Sequence, residues 1–372
     1  MKVGTVKEIK THEYRVGLVP ASVRELVHHG HQVIVETDCG AGIGFDDDAY
    51  RQAGAEVLPT AAEVFAAADL IVKVKEPQPV ECAMLREGQI LFTYLHLAAD
   101  ETLTRALADT GATCIAYETV TDRHGHLPLL VPMSEVAGRM SIQVGAHYLE
   151  KESGGAGVLL SGVPGVLAAR VCVVGGGVAG GAAARIAMGF EAKVTVLDRS
   201  LPRLDELDWR YGAQLNTVFS TVDAVERHVT DADLVIGSVL VPGAAAPKVV
   251  TEEMIKAMRP GSVVVDIAID QGGCFETSRP TSHSDPVYTK HGVIHYCVTN
   301  MPGAVAQTST FALNNATLPY TLKLADRGWQ DALSSDPGFL EGLNVHAGKV
   351  TYEAVAEAVG MDFTPAAEMV AG

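Results

Sequence analysis

Basic side chains are scarce in this sequence: 28 Lys and Arg stand against 45 Asp and Glu, a formal net charge of −17. A field of that sign repels polyphosphate backbones and anionic lipid, so nucleic acid and membrane surfaces are excluded as expected partners. Aromatics make up only 6% while glycine occurs 37 times, a balance that points to backbone turns approaching a ligand closely. Long apolar runs are missing as well. The longest stretch without a formal charge, 292–322, contains Asn300, Gln307, Asn314 and Asn315 and is unfit to span a bilayer. Near the start, Lys2, Lys7, Glu8 and Lys10 interrupt any apolar core of the signal-peptide kind. The cysteines, Cys39, Cys82, Cys114, Cys172, Cys274 and Cys297, form no C-x-x-C pair and have no histidine at zinc spacing. They are expected to be buried, reduced thiols of a cytoplasmic enzyme.

What is present is alternation. Short β-branched runs alternate with helical patterns, which predicts parallel sheet. In the first third, strands are expected at 3–6, 32–36, 70–75, 89–93 and 113–116. Pro20 opens a helix that Gly30 can end, and further helices are expected at 46–53 and 101–110. A second series begins at Arg170 with a strand over 171–174, a glycine turn, a helix over 179–189 and a strand over 193–198. Strands near Leu215, Leu234 and Val263 and a last one at 293–298 complete one doubly wound domain. A helical pattern over 135–150 links the two series, and the tail beyond Thr308 is too short for its own core, so it is expected to fold back onto the first domain.

The strongest local signal is Val171-Cys-Val-Val-Gly175-Gly-Gly177-Val-Ala-Gly180, followed by a strand ending in Asp198. Gly175 permits a tight turn, Gly177 lets the backbone approach a pyrophosphate, and Gly180 lets helix pack on strand. The phosphates then meet the unpaired N–H groups of a helix N-terminus. Asp198 can accept bonds from the adenosine ribose hydroxyls and repels a 2′-phosphate, which selects NAD over NADP, although Arg199 next to it could receive such a phosphate. The fold class read from these patterns is α/β: two doubly wound, parallel-sheet, Rossmann-like domains with an interdomain cleft. A discontinuous substrate domain takes 1–128 and 307–372, and an NAD-binding domain takes 129–306.

Further motifs stand in one order along the chain: Lys7-Glu-Ile-Lys with Glu13-Tyr-Arg15-Val, Lys73-Val-Lys75-Glu-Pro, Thr93-Tyr-Leu-His96-Leu-Ala, Met133-Ser-Glu-Val-Ala-Gly138, Asp266-Ile-Ala-Ile-Asp270-Gln-Gly-Gly and Thr299-Asn-Met-Pro302. With these, the sequence resembles the alanine dehydrogenase/pyridine nucleotide transhydrogenase family over essentially its whole length. The resemblance implies the reversible conversion of L-alanine, NAD⁺ and water to pyruvate, ammonium and NADH by a homo-oligomer, a hexamer. It makes Arg15 the anchor of the substrate carboxylate, Lys75 the substrate-binding lysine that polarises a carbonyl or carbinolamine oxygen, and His96 and Asp270 the proton-handling groups. Which of the last two moves the catalytic proton stays open. For NAD the resemblance adds Ser134, Val178, Arg203, Ser220, Val239, Leu240, Ile267, Ala268, Ile269, Asp270, Arg279, Val298, Thr299, Asn300 and Met301.

Taken alone, the same residues read more blandly. Arg15 would be a surface arginine, Asp270 a turn aspartate, and His96 a hydrogen-bonded histidine closing an apolar run. Lys73 and Lys75 share one face of the expected strand and would be solvated strand-end charges, with Lys73 the one whose loss is tolerated. Glu118, Asp122, His124 and His126 could be taken for a metal cluster, but 122–126 reads as an exposed turn and no metal is expected. Competing readings are a saccharopine-type relative, the nucleotide-binding part of a transhydrogenase, or a non-catalytic NAD sensor. The sensor would not need Arg15, Lys75, His96 and Asp270 together.

Overall fold

The computed structural model describes residues 1–239 and 246–371. Its strands, in chain order, are β1 (Lys2–Thr5), β2 (Gln32–Glu36), β3 (Glu56–Leu58), β4 (Leu70–Val72), β5 (Ile90–Thr93), β6 (Thr113–Ala116), β7 (Arg170–Val174), β8 (Lys193–Asp198), β9 (Leu215–Phe219), β10 (Leu234–Gly237), β11 (Val263–Asp266), β12 (Val287–Lys290), β13 (Val293–Tyr296), β14 (Leu343–His346) and β15 (Lys349–Val350). Two compact units result, one from Met1–Pro132 with Val305–Gly372 and one from Met133–Ala304.

The first unit is built on an eight-stranded sheet of order β15-β14-β6-β5-β4-β1-β2-β3, parallel from β3 to β6. β14 pairs antiparallel with β6 and β15 antiparallel with β14. These last strands come from the tail, which is also stitched on by Asn314 of the helix Ala306–Ser334. The Asn314 Oδ1 accepts the Val19 N–H at 2.9 Å at the start of the helix Pro20–His28. The second unit has a sheet of order β12-β13-β11-β10-β7-β8-β9, parallel except for β12 at one edge. Read from β9, its parallel strands follow the doubly wound order, with the chain reversing direction of travel between β7 and β10.

Several differences from the sequence reading have local causes. The strand expected over 70–75 stops at Val72. There the Thr5 hydroxyl donates to the Val72 carbonyl at 2.8 Å, and Gly17 passes so close that a Cβ would lie 2.3 Å from the same oxygen. β3 and the helix Ala61–Ala67 had no apolar period long enough to show, yet Thr60 and Glu63 form a capping box at the helix start, a readable sequence signal. The antiparallel edge β12 adds a seventh strand to the six expected in the second sheet. All six cysteines are free and buried. Among the described residues, no helix is long and apolar enough to cross a membrane.

The helix Val131–Tyr148 runs against the second unit's core through glycines. A Cβ on Gly138 would lie 2.1 Å from the Ala179 carbonyl oxygen, and one on Gly145 would lie 2.6 Å from the Leu234 side chain. Gly138→Ala should therefore push this helix off the helix Val178–Gly189. The expected loss is about 1–3 kcal/mol, the usual cost of overpacking, read as a lower midpoint in urea unfolding.

Candidate active site

In the second unit, the chain leaves β7 through Gly175, whose φ of 98° only glycine adopts without strain, and enters the helix Val178–Gly189 with Gly177 at its N-cap. A Cβ on Gly180 would lie 1.8 Å from the Gly175 carbonyl oxygen, so the helix can start this close to the strand only with glycine there. Nothing lies within 4 Å of a Cβ built on Gly177, which leaves its backbone open to a ligand. The Ser238 hydroxyl, after β10, donates to the carbonyls of Val174 at 3.0 Å and Gly175 at 2.8 Å and fastens the turn.

Asp198 closes β8 beside this turn. Its carboxylate accepts the Gly176 N–H at 2.6 Å and the Ser200 N–H at 2.8 Å, so it is fixed at the end of the strand. Arg203 reaches back over the turn, donating from Nε to the Gly176 carbonyl at 2.6 Å while pairing with Glu206. Val178 is exposed at the helix start, and Ser220 follows β9. Ser134 is half-buried on the helix Val131–Tyr148 and Val239 half-buried after β10, whereas Leu240 lies outside the described residues.

Asp270 is exposed on a 3-10 turn, Ile267–Gln271, that follows β11 and carries Ala268 and Ile269 inward. The turn is braced from below by Asp266. Its carboxylate accepts the Cys274 N–H at 2.8 Å, the Phe275 N–H at 3.3 Å and the Ser278 hydroxyl at 2.6 Å, and burial pushes its pKa up against these bonds. The Arg279 guanidinium stands 4.2 Å over the Tyr288 ring. Val298 and Met301 are buried, Thr299 and Asn300 half-buried, and the Asn300 carbonyl lies 3.1 Å from His283 Nε2.

In the first unit, Arg15, Lys75 and His96 are tied to acidic groups to which the sequence reading gave no such role. Arg15 is 2% exposed, not a surface arginine. Its Nε and Nη2 donate to the two oxygens of Glu13 at 2.7 and 2.6 Å, a forked pair. Burial works against the charge of Arg15, but Glu13 outweighs it and holds the guanidinium more firmly protonated than usual. Lys75 is half-buried three residues beyond β4, with its carbonyl accepting the Thr93 hydroxyl at 3.0 Å. His96 is exposed, with φ 53°, and not a core histidine. Glu118, after β6, accepts the Leu95 N–H at 3.0 Å and the His96 N–H, and sits 3.9 Å from His96 Nδ1. The Tyr94 ring stacks on His96 at 5.8 Å, and its charge state is coupled to Arg15, while Glu8 acts on both Arg15 and the backbone of Lys75.

Glu118 is thus committed to the His96 loop. Asp122 takes the N–H groups of His124 and His126 at 2.8 and 2.9 Å within its own turn. Among the described residues no group of three or more such side chains is arranged to hold a metal ion.

Lys73 departs most from its sequence reading. It is fully buried and lies 3.0 Å from Glu8 and 2.7 Å from Glu81, rather than solvated at a strand end. Burial lowers its proton affinity, but the two carboxylates more than restore it, so it stays charged.

A doubly wound sheet with a glycine turn, an open helix N-terminus and an acid closing the next strand defines a dinucleotide-binding protein of the Rossmann type. Models of the two domains "Alanine dehydrogenase/PNT, N-terminal domain" and "Alanine dehydrogenase/PNT, C-terminal domain" match residues 4–137 and 141–353. The chain is 61% identical to alanine dehydrogenase of Halomonas elongata, covering 100% of both chains. It is 55% identical to alanine dehydrogenase of Methanococcus maripaludis, covering 98% of each. A solved L-alanine dehydrogenase superposes with a TM-score of 0.94 at 50% identity, over 97% of this chain and 99% of that one. The chain belongs to the alanine dehydrogenase/PNT family.

Removing Lys73 strands two buried carboxylates, so Lys73→Ala should cost about 3–5 kcal/mol of stability, the range for breaking a buried ion pair from one side. Chemical denaturation of the purified variant reads this directly. A midpoint equal to wild type would return Lys73 to the solvated strand end.

Proposed function

We propose that the chain catalyses the reversible oxidative deamination of L-alanine to pyruvate and ammonium with NAD⁺, as a cytoplasmic homohexamer. The observation that supports this reading best is the full-length match to alanine dehydrogenases together with Arg15, Lys75, His96 and Asp270 at the motif positions. The unit carrying Arg15 is read as the substrate-handling unit and the one carrying Gly175 as the NAD-binding unit. The open face of Gly177 and the N-terminus of the helix Val178–Gly189 suit a pyrophosphate, and Asp198 at the end of β8 suits a ribose without a 2′-phosphate.

NAD⁺, when bound, accepts the hydride that leaves the alanine Cα. The chain's own groups do the rest. Arg15, already held charged and forked by Glu13, offers a guanidinium to the substrate carboxylate. Lys75 polarises the carbonyl oxygen of pyruvate, and its ammonium favours the oxygen's developing negative charge. His96, exposed and with its backbone fixed by Glu118, moves the proton to or from the reacting nitrogen or oxygen, with Asp270 as the second proton-handling carboxylate.

With ammonium and NADH supplied, pyruvate should be reduced faster than glyoxylate, 2-oxobutyrate or 2-oxoglutarate, followed as loss of NADH absorbance. NADPH should give kcat/KM roughly 10- to 100-fold lower, the worth of charge-assisted ribose bonds. A preference for 2-oxoglutarate, or equal use of both nucleotides, would overturn the substrate or the cofactor respectively.

His96→Ala should leave NADH binding near wild type, by fluorescence titration, and slow turnover by about 10²- to 10⁴-fold, the usual contribution of a positioned acid or base. Asp270→Asn measured beside it assigns the proton. If only the aspartate variant loses a limb of the kcat–pH profile, the role passes to Asp270.

A further inference from the structure

Three ionisable side chains, Glu8, Lys73 and Glu81, are buried together next to the backbone at Lys75. Both carboxylates pair with the same ammonium, but their other oxygens go to different places. Glu8 Oε1 accepts the N–H of Val74 at 2.7 Å and of Lys75 at 3.3 Å. Glu81 Oε2 accepts the Gln78 N–H at 2.8 Å and completes a capping box at the start of the helix Pro79–Cys82. One carboxylate therefore ends on the candidate substrate lysine's own backbone, and the other ends on a helix that follows it.

We infer that Glu8 is a positioning residue for Lys75, holding its backbone while Lys73 holds Glu8. The inference rests on the reading of Lys75 as the substrate-binding lysine. Three observations carry it. β4 ends at Val72, and past it the backbone bonds to the β5 side are the Lys73 N–H to the Phe92 carbonyl at 3.1 Å and the Tyr94 N–H to the Val74 carbonyl at 3.4 Å, the last of them one residue before Lys75. Its N–H is instead taken by Glu8 and its carbonyl by the Thr93 hydroxyl, the residue that ends the neighbouring strand β5.

The second observation concerns stability. Two carboxylates and an ammonium buried together are costly to take out of water, and an apolar trio of similar volume can hold a fold at least as well. The fold alone does not call for this arrangement. A backbone that must stay within a fraction of an ångström of a working geometry does, since small misplacements of a binding group cost rate steeply.

Third, the charge of Glu8 also reaches Arg15, which it helps keep protonated. One carboxylate thus touches the path of Lys75 and the field at the candidate carboxylate anchor. Lys73 matters to this because burial pushes the Glu8 carboxyl towards its neutral form, and the adjacent ammonium opposes that push in part, the net shift remaining upward.

The test uses the full chain with five replacements: Glu8→Ala, Glu8→Asp, Glu8→Gln, Glu81→Gln and, as the reference, Lys75→Ala. For each, KM for pyruvate and kcat are measured at saturating NADH and ammonium, with NADH affinity by fluorescence and the thermal midpoint alongside. Glu8→Ala should raise KM for pyruvate about tenfold or more and lower kcat, with NADH affinity unchanged. Glu8→Gln keeps a carbonyl oxygen for the two N–H groups and should restore most of the loss. Glu81→Gln should lower the midpoint and leave KM near wild type. Glu8→Asp keeps the charge but draws the acceptor back by one methylene, so it should also raise KM, and it decides the matter if the alanine variant does not fold. Kinetics alike in the Glu8 and Glu81 variants, with only the midpoint moved, would make the trio structural and overturn the inference. A Lys75→Ala enzyme with wild-type turnover would overturn the reading of Lys75 and the inference with it, whereas a crippled Lys75→Ala beside normal Glu8→Ala and Glu8→Asp kinetics would overturn the inference alone.

Discussion

Parallel pairing dictates where the functional groups of each unit lie. A chain that leaves one strand and returns to pair parallel with the next must cross over outside the sheet, so the carboxyl ends of all the parallel strands open at one edge. The residues singled out for chemistry follow those ends. In the first unit Lys75 comes three positions after β4, His96 three after β5 and Glu118 two after β6. In the second, Gly175 follows β7, Asp198 closes β8, Val239 follows β10 and Asp270 follows β11. In a doubly wound sheet this edge is where ligands bind, since loops there carry free N–H groups and are not needed to pair the strands.

Loops at such an edge have little ladder to hold them, and this chain holds them with carboxylates, two of them buried and Glu118 partly so. Glu8 takes the N–H groups at 74 and 75, Glu118 those at 95 and 96, and Asp266 those at 274 and 275. An ionised oxygen accepting two backbone donors is a stronger tie than a neutral turn bond. It also has a cost, because each charge is taken out of water. Lys73 offsets part of that cost for Glu8, and the Ser278 hydroxyl and backbone donors offset part of it for Asp266, burial still raising the pKa of both. The same logic covers Arg15, whose charge survives burial through the fork with Glu13.

Legibility in the sequence varied with the range of the interaction that carried the signal. The glycine turn was readable because each glycine answers to a contact within a few residues: Gly175 to its own φ, and Gly180 to the Gly175 carbonyl. β8 was readable to the residue because its apolar run ends at an acid and a turn. β3, with three residues, and β12, on an edge and half-buried, carry too little pattern to stand out. The helix Ala61–Ala67 carries its own short-range signal in Thr60 and Glu63, whose spacing is that of a capping box.

The sequence by itself determined the α/β class, the alternation of the longer strands and helices, the dinucleotide turn and the family, because these rest on periodicity, glycine geometry and motifs in series. What it could not determine was which charges are buried. Lys73 and Lys75 are two residues apart and look equivalent in any strand pattern, yet one is sealed between Glu8 and Glu81 and the other is only partly buried. Arg15 and His96 likewise exchanged their expected settings, the first buried and the second exposed. Burial depends on segments 65 residues away in the chain, as between Glu8 and Lys73. Only the folded chain brings such segments together, and only then does the desolvation of each charge, and the partner that offsets it, have a value.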